Sequence, residues 1–572
     1  MTFRYLKSLT ALTACLMLCA SVHAVPMRRQ KGIHIPEYLM NTDPDNPALW
    51  TAQPHYIFNR AAAAPGDYAT TNIPREGKIE YPLILVDFQD LHFFEKDTAA
   101  LRRHYECVFN EHGYPDTVRF TYKGLSFRPP VGSVADYFYD QSYGKYEPVF
   151  KIIGPITVSK GYAYYGRDII SEQYTEYDNV SALVKEVLDT IVTRNLINIA
   201  GYARNGRIDQ ISIIYAGRGE NYGGSDPNTI WPQASLVYFN RSDAAVYGKG
   251  IRQAKYACSA ELFLDTDSLY DGIGTFCHEF SHTLGLPDFY NTTKHDDESS
   301  ESNDDSAMGF WSLMDYGCYE QEGFAPVGYT AFEKYSLGWL ELEEITGPGT
   351  LTLDDISRKS NPESGIHTAY RLNTGDDNQF LILENHNKTR WYRHQKGRGL
   401  MVTAVDYDRI RWYVNEANDS SVWGYHILPA DNNYNVYTNS GDLYPYQWTD
   451  SLGQTHLVDS ITTKGEPTLK AGSSYPSYSI YNITRENNQV TFTVKHDLPT
   501  DIAKTRQQEI SINASDGKLT VSAPSGSKIL VYDISGKPVS QVTATSAVQQ
   551  ITLPGHGIWI VKCGNITRKV RL

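Results

Sequence analysis

At 572 residues the chain is too long for one hydrophobic core and requires three or four folded units of roughly 100–200 residues each. Its 41% hydrophobic and 21% charged residues exclude wholesale disorder. A net charge of −14 with no basic stripe excludes a nucleic-acid binder, and no apolar run is long enough for a permanent membrane span.

In chain order, Arg4 and Lys7 precede an apolar stretch from Leu9 to Cys19 that ends in Val22-His23-Ala24. A charged start, a short apolar core and small residues before a cut after Ala24 predict a signal peptide over 1–24, hence a secreted or cell-surface protein. Residues 25–77 carry repeated prolines and the run Ala61 to Ala64, and read as a pro-segment or linker. Leu83-Ile84-Leu85-Val86 predicts a short buried strand. The tyrosine-rich stretch 137–165 reads as half-buried sheet and loop. Residues 179–196 place Val180, Leu183, Val184, Val187, Leu188, Ile191 and Val192 on one helical face, and Ile208 to Tyr215 follows as a strand. Strand, backing helix and strand predict an α/β layer.

After Trp339 the period changes from helical to strand-like. Thr350–Leu353, Phe380–Glu384, Gly399–Val405 and Val490–Val494 predict a β-sandwich-like domain over 342–498. A small all-β unit over 499–572 is expected from runs near Lys518–Ser522, Lys528–Tyr532, Gln549–Leu553 and Gly557–Val561, with a turn at Asp533-Ile534-Ser535-Gly536. Of the seven cysteines, Cys107, Cys258, Cys277, Cys318 and Cys563 lie beyond the signal; one or two disulfides are compatible with them, and no pairing follows from spacing.

The segment with the most chemistry is Asp271-Gly-Ile-Gly-Thr-Phe-Cys-His278-Glu279-Phe-Ser-His282-Thr-Leu-Gly285-Leu-Pro-Asp288. Ile273, Phe276, Cys277, Phe280 and Leu284 give an apolar helical face, and His278 and His282, four apart, project one turn from each other. Two imidazoles so placed can share a zinc ion at roughly 2.0–2.1 Å each. Glu279 stands beside them, off the ligand line, where a general base acting on water is needed. Gly285 stops the helix, Pro287 keeps it from resuming, and the returning chain brings Asp288 within reach as a third ligand. Cys277 reads as packing.

HExxHxxGxxD followed downstream by Ser312-Leu313-Met314 resembles the metzincin clan of zinc peptidases, and within it the M6, or immune inhibitor A-like, peptidases. Gly132-Ser-Val-Ala-Asp-Tyr137-Phe-Tyr139, Ser142-Tyr143-Gly144-Lys145, Phe310 to Asp315, Lys334 to Trp339, Ile382 to Asn385 and Gly399-Leu400-Met401 are similar to segments of that family, so the likeness covers about 78–498. It implies a metzincin-like α/β (α+β) catalytic domain over 78–341, endopeptidase action on protein or peptide substrates, and Met314 as a floor beneath the metal. Most of the clan has histidine where Asp288 stands; aspartate is the M6-like variant. By the same likeness Tyr316 is a candidate hydrogen-bond donor to the tetrahedral intermediate. M6-like peptidases are calcium-stabilised, and Asp296, Asp297, Glu298, Glu301, Asp304 and Asp305 form an acidic cluster, which reads first as a solvated loop and second as a calcium site.

Leu530 to Lys537, Gly557 to Lys562 and the basic end Arg568-Lys569-Val570-Arg571 resemble the C-terminal sorting domain of the Bacteroidetes type IX secretion system, which implies that machinery as a partner. Two competing readings are a non-catalytic surface adhesin, which predicts broken metal ligands, and another zinc amidohydrolase or aminopeptidase, which needs a dedicated site for an amino terminus.

Overall fold

The computed structural model of the chain describes residues 73–496 and 511–571, apart from short stretches at 114–119, 123–124, 128–131, 168, 171–174, 177–178, 223–227, 249, 264–269, 293–306, 414, 420–422, 516–517, 524–525, 546–547, 556 and 564–565. The expected signal peptide, nearly all of the pro-segment and the acidic cluster at 296–305 lie outside the described residues. The chain is a mixed α/β protein with many strands and few helices, and it divides into two compact units, one up to Lys495 and one from His496.

In the first unit, β1 (Gly77–Asp87), α1 (Thr98–Asn110), α2 (Val134–Gln141), β2 (Tyr146–Thr157), α3 (Val180–Thr193), β3 (Arg207–Arg218), β4 (Gln233–Tyr238) and β5 (Gln253–Leu262) come before the motif-bearing helix α4 (Gly274–Leu284). The strands form a sheet in the order β2-β1-β3-β5-β4, and Ala203–Arg204 adds a short sixth strand on β3. All main pairings are parallel except β5 with β4, so an antiparallel strand forms one edge. Leu83, Ile84, Leu85 and Val86 are all fully buried, which requires cover on both faces and explains why β1 reads as a continuous apolar run. The six buried residues of α3, Val180 to Ile191, are the expected helical face.

The tyrosine-rich stretch 137–165 forms the expected sheet and loop over β2 and its flanking turns, but it is helical at its start, in α2, and again at Tyr162–Gly166. Ser133 caps α2 in a reciprocal capping box with Asp136, and those two local hydrogen bonds start a helix where side-chain β-propensity suggests none. Tyr137 and Phe138 of α2 then face inward. Phe276 and Phe280 of α4 pack with Phe109 of α1, Phe138 of α2, Phe150 of β2 and Tyr81 of β1, with ring centroids 4.7–5.6 Å apart.

Beyond α5 (Ala331–Ser336), a second sheet has the order β6 (Glu343–Glu344), β8 (Ala369–Asn373), β9 (Gln379–His386), β10 (Gly399–Asp406), β11 (Tyr425–Ile427), with a short helix α6 (Arg409–Tyr413) between its last two strands. A three-stranded sheet holds β7 (Gly349–Leu353), β13 (Gln489–His496) and β12 (Tyr478–Glu486) in that order. The alternation of side chains divides the second sheet. Phe380, Ile382, Met401 and Val405 join the core that contains α4. Their neighbours Leu381, Leu383, Leu400, Val402 and Ala404 join a second core with Leu353, Ile480, Val490 and Phe492 of the three-stranded sheet. The expected border at 341/342 therefore falls inside one contact unit.

Polar contacts cross the same seam. Ala331 N–H donates to Glu384 Oε2 (2.8 Å), Trp311 Nε1–H to Asp442 Oδ2 (2.6 Å), and the Tyr143 hydroxyl to the Ile356 carbonyl (2.9 Å). All five cysteines beyond the signal are buried and none is in a disulfide, so none of the compatible pairings is present.

In the second unit, β14 (Ser511–Ser515), β15 (Lys518–Ser522) and β18 (Val548–Ile551) form one sheet. The other has the order β17 (Pro538–Thr543), β16 (Lys528–Asp533), β19 (Ile558–Cys563), β20 (Ile566–Arg571). Ile512, Leu519, Val521, Ile529, Val531, Val561 and Val570 form a core of its own. In the turn after β16, Asp533 Oδ1 accepts from Ser535 N–H (2.9 Å) and Lys537 N–H (3.0 Å).

Candidate metal centre

α4 can sit where it does because its first turn is glycine. A Cβ on Gly274 would lie 1.9 Å from the Cys318 carbonyl oxygen, and the Gly274 N–H donates to the Gly323 carbonyl (2.9 Å). The helix ends at Gly285, whose φ of 109° is in the left-handed region, with its N–H on the His282 and Ser281 carbonyls.

Both imidazoles are oriented by the backbone. His278 Nδ1–H donates to the Leu313 carbonyl (2.8 Å) and His282 Nδ1–H to the Leu286 carbonyl (2.8 Å), because a carbonyl can only accept. Burial also pushes the His278 pKa down, against the pull of Asp288. The two Nε2 atoms are 3.2 Å apart, and Asp288 Oδ1 lies 3.1 Å from the first and 3.3 Å from the second. Two imidazole nitrogens and one carboxylate oxygen thus converge in a buried place, a donor set that suits a metal ion. Ligands at roughly 2.0–2.1 Å from a tetrahedral ion are about 3.3 Å apart, so these spacings suit zinc without rearrangement. Burial opposes the Asp288 carboxylate, but His282 and His278 outweigh it and hold it below the usual carboxylate range.

Glu279 is fully buried next to His278, and neither of its carboxyl oxygens has a hydrogen-bond partner. Burial, and then the charge of Asp288, push its pKa well above the ordinary value. Such an acceptor is stable only beside a group that supplies positive charge or a proton, which again fits a cation with a water.

The segment around Met314 is tied to this cluster by hydrogen bonds. Met314 N–H donates to Ser312 Oγ (3.0 Å), its carbonyl accepts from Phe289 N–H (2.8 Å), and the preceding carbonyl, of Leu313, holds His278. Ser312 donates to Glu333 Oε1 (2.7 Å), itself the capping-box residue of α5. Asp315 accepts from the N–H groups of Met308, Gly309 and Tyr316.

Tyr316 is half-buried, with its ring 6.0 Å from Phe310. Two other phenols carry the electrostatic influence of Glu279. Tyr290 and Tyr319 have pKa values pushed well up, first by burial and then by neighbouring charges that include Glu279, and Tyr319 Oη accepts from Asn221 Nδ2 (3.3 Å). Tyr319 follows Tyr316 by three residues and Tyr290 follows Asp288 by two, and neither is singled out by the sequence alone. Sequence reasoning also missed Asn415, which donates through Nδ2 to Asp288 Oδ2 (2.5 Å) and accepts the Asp288 N–H at Oδ1 (2.7 Å). Its local sequence, Asn415-Glu-Ala-Asn418-Asp419, reads as an ordinary polar turn.

Residues 73–343 match the family described as immune inhibitor A peptidase M6, catalytic domain, and residues 499–571 match a domain of unknown function, DUF6383. Among curated relatives, the chain is 25% identical over 317 residues to the pre-pro-metalloprotease PrtV of two strains of Vibrio cholerae serotype O1, covering 49% of this chain and 33% of the relative. It is 28% identical over 312 residues to immune inhibitor A of Bacillus thuringiensis subsp. alesti, covering 48% of this chain and 42% of the relative. The chain thus spans less than half the length of the curated relatives it matches. A metalloprotease likeness implies a metal, and the His278, His282 and Asp288 cluster suits one. The comparisons support an M6 (immune inhibitor A-like) peptidase catalytic domain over residues 73–343.

Proposed function

We propose that this protein is an exported zinc-dependent endopeptidase whose metal ligands are His278, His282 and Asp288 and whose general base is Glu279. The observation that carries the reading is the convergence of two Nε2 atoms and one carboxylate oxygen, 3.1–3.3 Å apart, in a buried site. The chemistry a zinc ion supplies when bound there is Lewis acidity toward a water and toward the scissile carbonyl. Glu279 takes the proton from the attacking water and delivers it to the leaving amine, using the carboxyl oxygens that are otherwise without partners. Leu313 and Leu286 keep both imidazoles in the Nδ1–H tautomer throughout. Tyr316 is the proposed oxyanion donor, with Tyr290 and Tyr319 as its competitors; loss of kcat at constant KM in Tyr316→Phe supports it, and an unchanged kcat passes the role to the other two.

An endopeptidase needs an extended substrate. The antiparallel strand β4, at the sheet edge beside α4, is the place where a peptide would add as a further strand. We read the first sheet with α4 as a metzincin-type arrangement and the two sheets beyond residue 342 as a β-sandwich-like companion. The compact unit from residue 511 to 571, with its own core, suits a detachable export address of the type IX kind, and the segment 1–24 suits a signal peptide. Among the described residues no helix is long and apolar enough to cross a membrane.

The test is zinc content and casein cleavage of the purified chain, with and without phenanthroline, beside Glu279→Ala. The expected result is about one zinc in both proteins, cleavage by wild type alone, and its loss with the chelator. Wild type that holds zinc but leaves casein intact, even after limited proteolysis, would overturn the peptidase reading in favour of an adhesin.

A further inference from the structure

Asp288 reaches the cluster from a loop, and a loop carboxylate can rotate. What fixes it comes from 127 residues further along the chain, beyond the segment that matches the peptidase family. The Asn415 side chain contacts Asp288 twice. Because the Asp288 N–H must donate, the amide oxygen faces it (2.7 Å), which turns Nδ2 toward Asp288 Oδ2 (2.5 Å). This two-point clamp sets the carboxylate plane and leaves Oδ1 directed at His278 and His282.

Asparagine suits this position for two reasons. It carries a donor and an acceptor on one short planar group. Its backbone is also left-handed here, with φ 61°, a conformation that asparagine and aspartate tolerate better than other side chains with a Cβ.

The clamp continues along the same segment. Asn418 Nδ2 donates to the Phe289 carbonyl (2.7 Å) and to the Tyr425 carbonyl (2.8 Å), and its Oδ1 accepts from Gly424 and Tyr425 N–H, which anchors it to β11. Asp419 accepts from Thr292 N–H (2.6 Å) and from the Thr292 hydroxyl. Residues 415–419 therefore run beside 288–292 and hold that loop to the second sheet.

We propose that Asn415 is a positioning residue for the metal centre: it orients the Asp288 carboxylate, so the site is incomplete without the region after residue 343. The inference rests on the metal-centre reading above. It predicts that removing the Nδ2 donor weakens metal binding without unfolding the protein.

The experiment compares wild type, Asn415→Asp and Asn415→Gly in the full chain. Zinc affinity is measured by competition with a chromophoric chelator, cobalt-substituted protein is examined by visible absorption, and metal-free protein is checked by thermal melting. Asn415→Asp keeps the left-handed backbone and the acceptor for the Asp288 N–H but places a second carboxylate against Oδ2. Asn415→Gly keeps the backbone and removes both contacts.

Expected are metal-free melting points like that of wild type, a zinc Kd raised roughly 10–100-fold in both variants, and a shifted cobalt spectrum. Should the glycine variant melt early, the aspartate variant decides alone. Wild-type zinc affinity and an unshifted cobalt spectrum in the variants would overturn the role of Asn415 and leave the metal centre standing. Failure of wild type to bind zinc stoichiometrically would overturn both.

Discussion

Two β-rich regions follow the peptidase-like segment, and they differ in how their strands are buried. In β9 and β10 of the first unit every residue from Phe380 to His386 and from Gly399 to Val405 is buried. In β15, β16 and β19 of the second unit burial alternates along the strand, so one face is covered and the other meets solvent or lies half-exposed. A strand buried on one face can belong to a small unit that closes its own core, whereas a strand buried on both needs a partner on each side. The first region has become part of the unit that holds α4: it supplies Phe380 and Ile382 to the core around that helix and Asn415 to Asp288. The second carries an apolar core of thirteen residues, and among the described residues no buried polar or charged side chain lies beyond Ser479.

Truncation gives the largest expected effect. A chain ending at residue 343 loses one side of the core around α4 and should show no cooperative unfolding transition, while a chain ending at residue 496 should melt as the first unit does in the full protein. If the shorter chain folds and binds zinc, the integration of the second sheet is refuted. Point substitutions come next. Phe380→Ala should lower the stability of the first unit by about 3–5 kcal/mol, and Ile529→Ala that of the second by about 2–5 kcal/mol. Each should move one transition in calorimetry and leave the other in place; a joint shift would show that the two units unfold as one.

The smallest effect is one of pH. Burial raises the Glu261 carboxyl from 4.5 to about 7, against the pull of backbone N–H groups from Gly217 and Phe94. A group whose pKa is raised on folding contributes stability that is full below 4.5 and lost as pH rises through about 7. In metal-free protein Glu261→Gln should therefore flatten the pH dependence of the first transition between those values by about one proton. The second transition, whose core is apolar, should not respond; an equal response from both would remove the contrast between the regions.

Much of the first sheet was legible because its signals are local. The run Leu83 to Val86 and the face from Val180 to Ile191 appear as β1 and α3. The helix at 134–141 was hidden in a tyrosine-rich stretch, since two capping hydrogen bonds outweighed side-chain propensity. Continuous apolar runs such as 380–384 announced strands but not that each would face two cores.

The candidate site divides in the same way. A four-residue interval places His278 and His282 on one side of a helix, Gly285 ends that helix, and Asp288 returns, all within eleven residues and therefore within reach of backbone geometry alone. Only the tertiary structure decided that Leu313 fixes the His278 tautomer, that Tyr290 and Tyr319 feel the charge of Glu279, and that Asn415 holds Asp288. The Leu313 and Asn415 contacts join atoms far apart in the chain, and all of these relations depend on how separate elements pack, which no periodicity encodes.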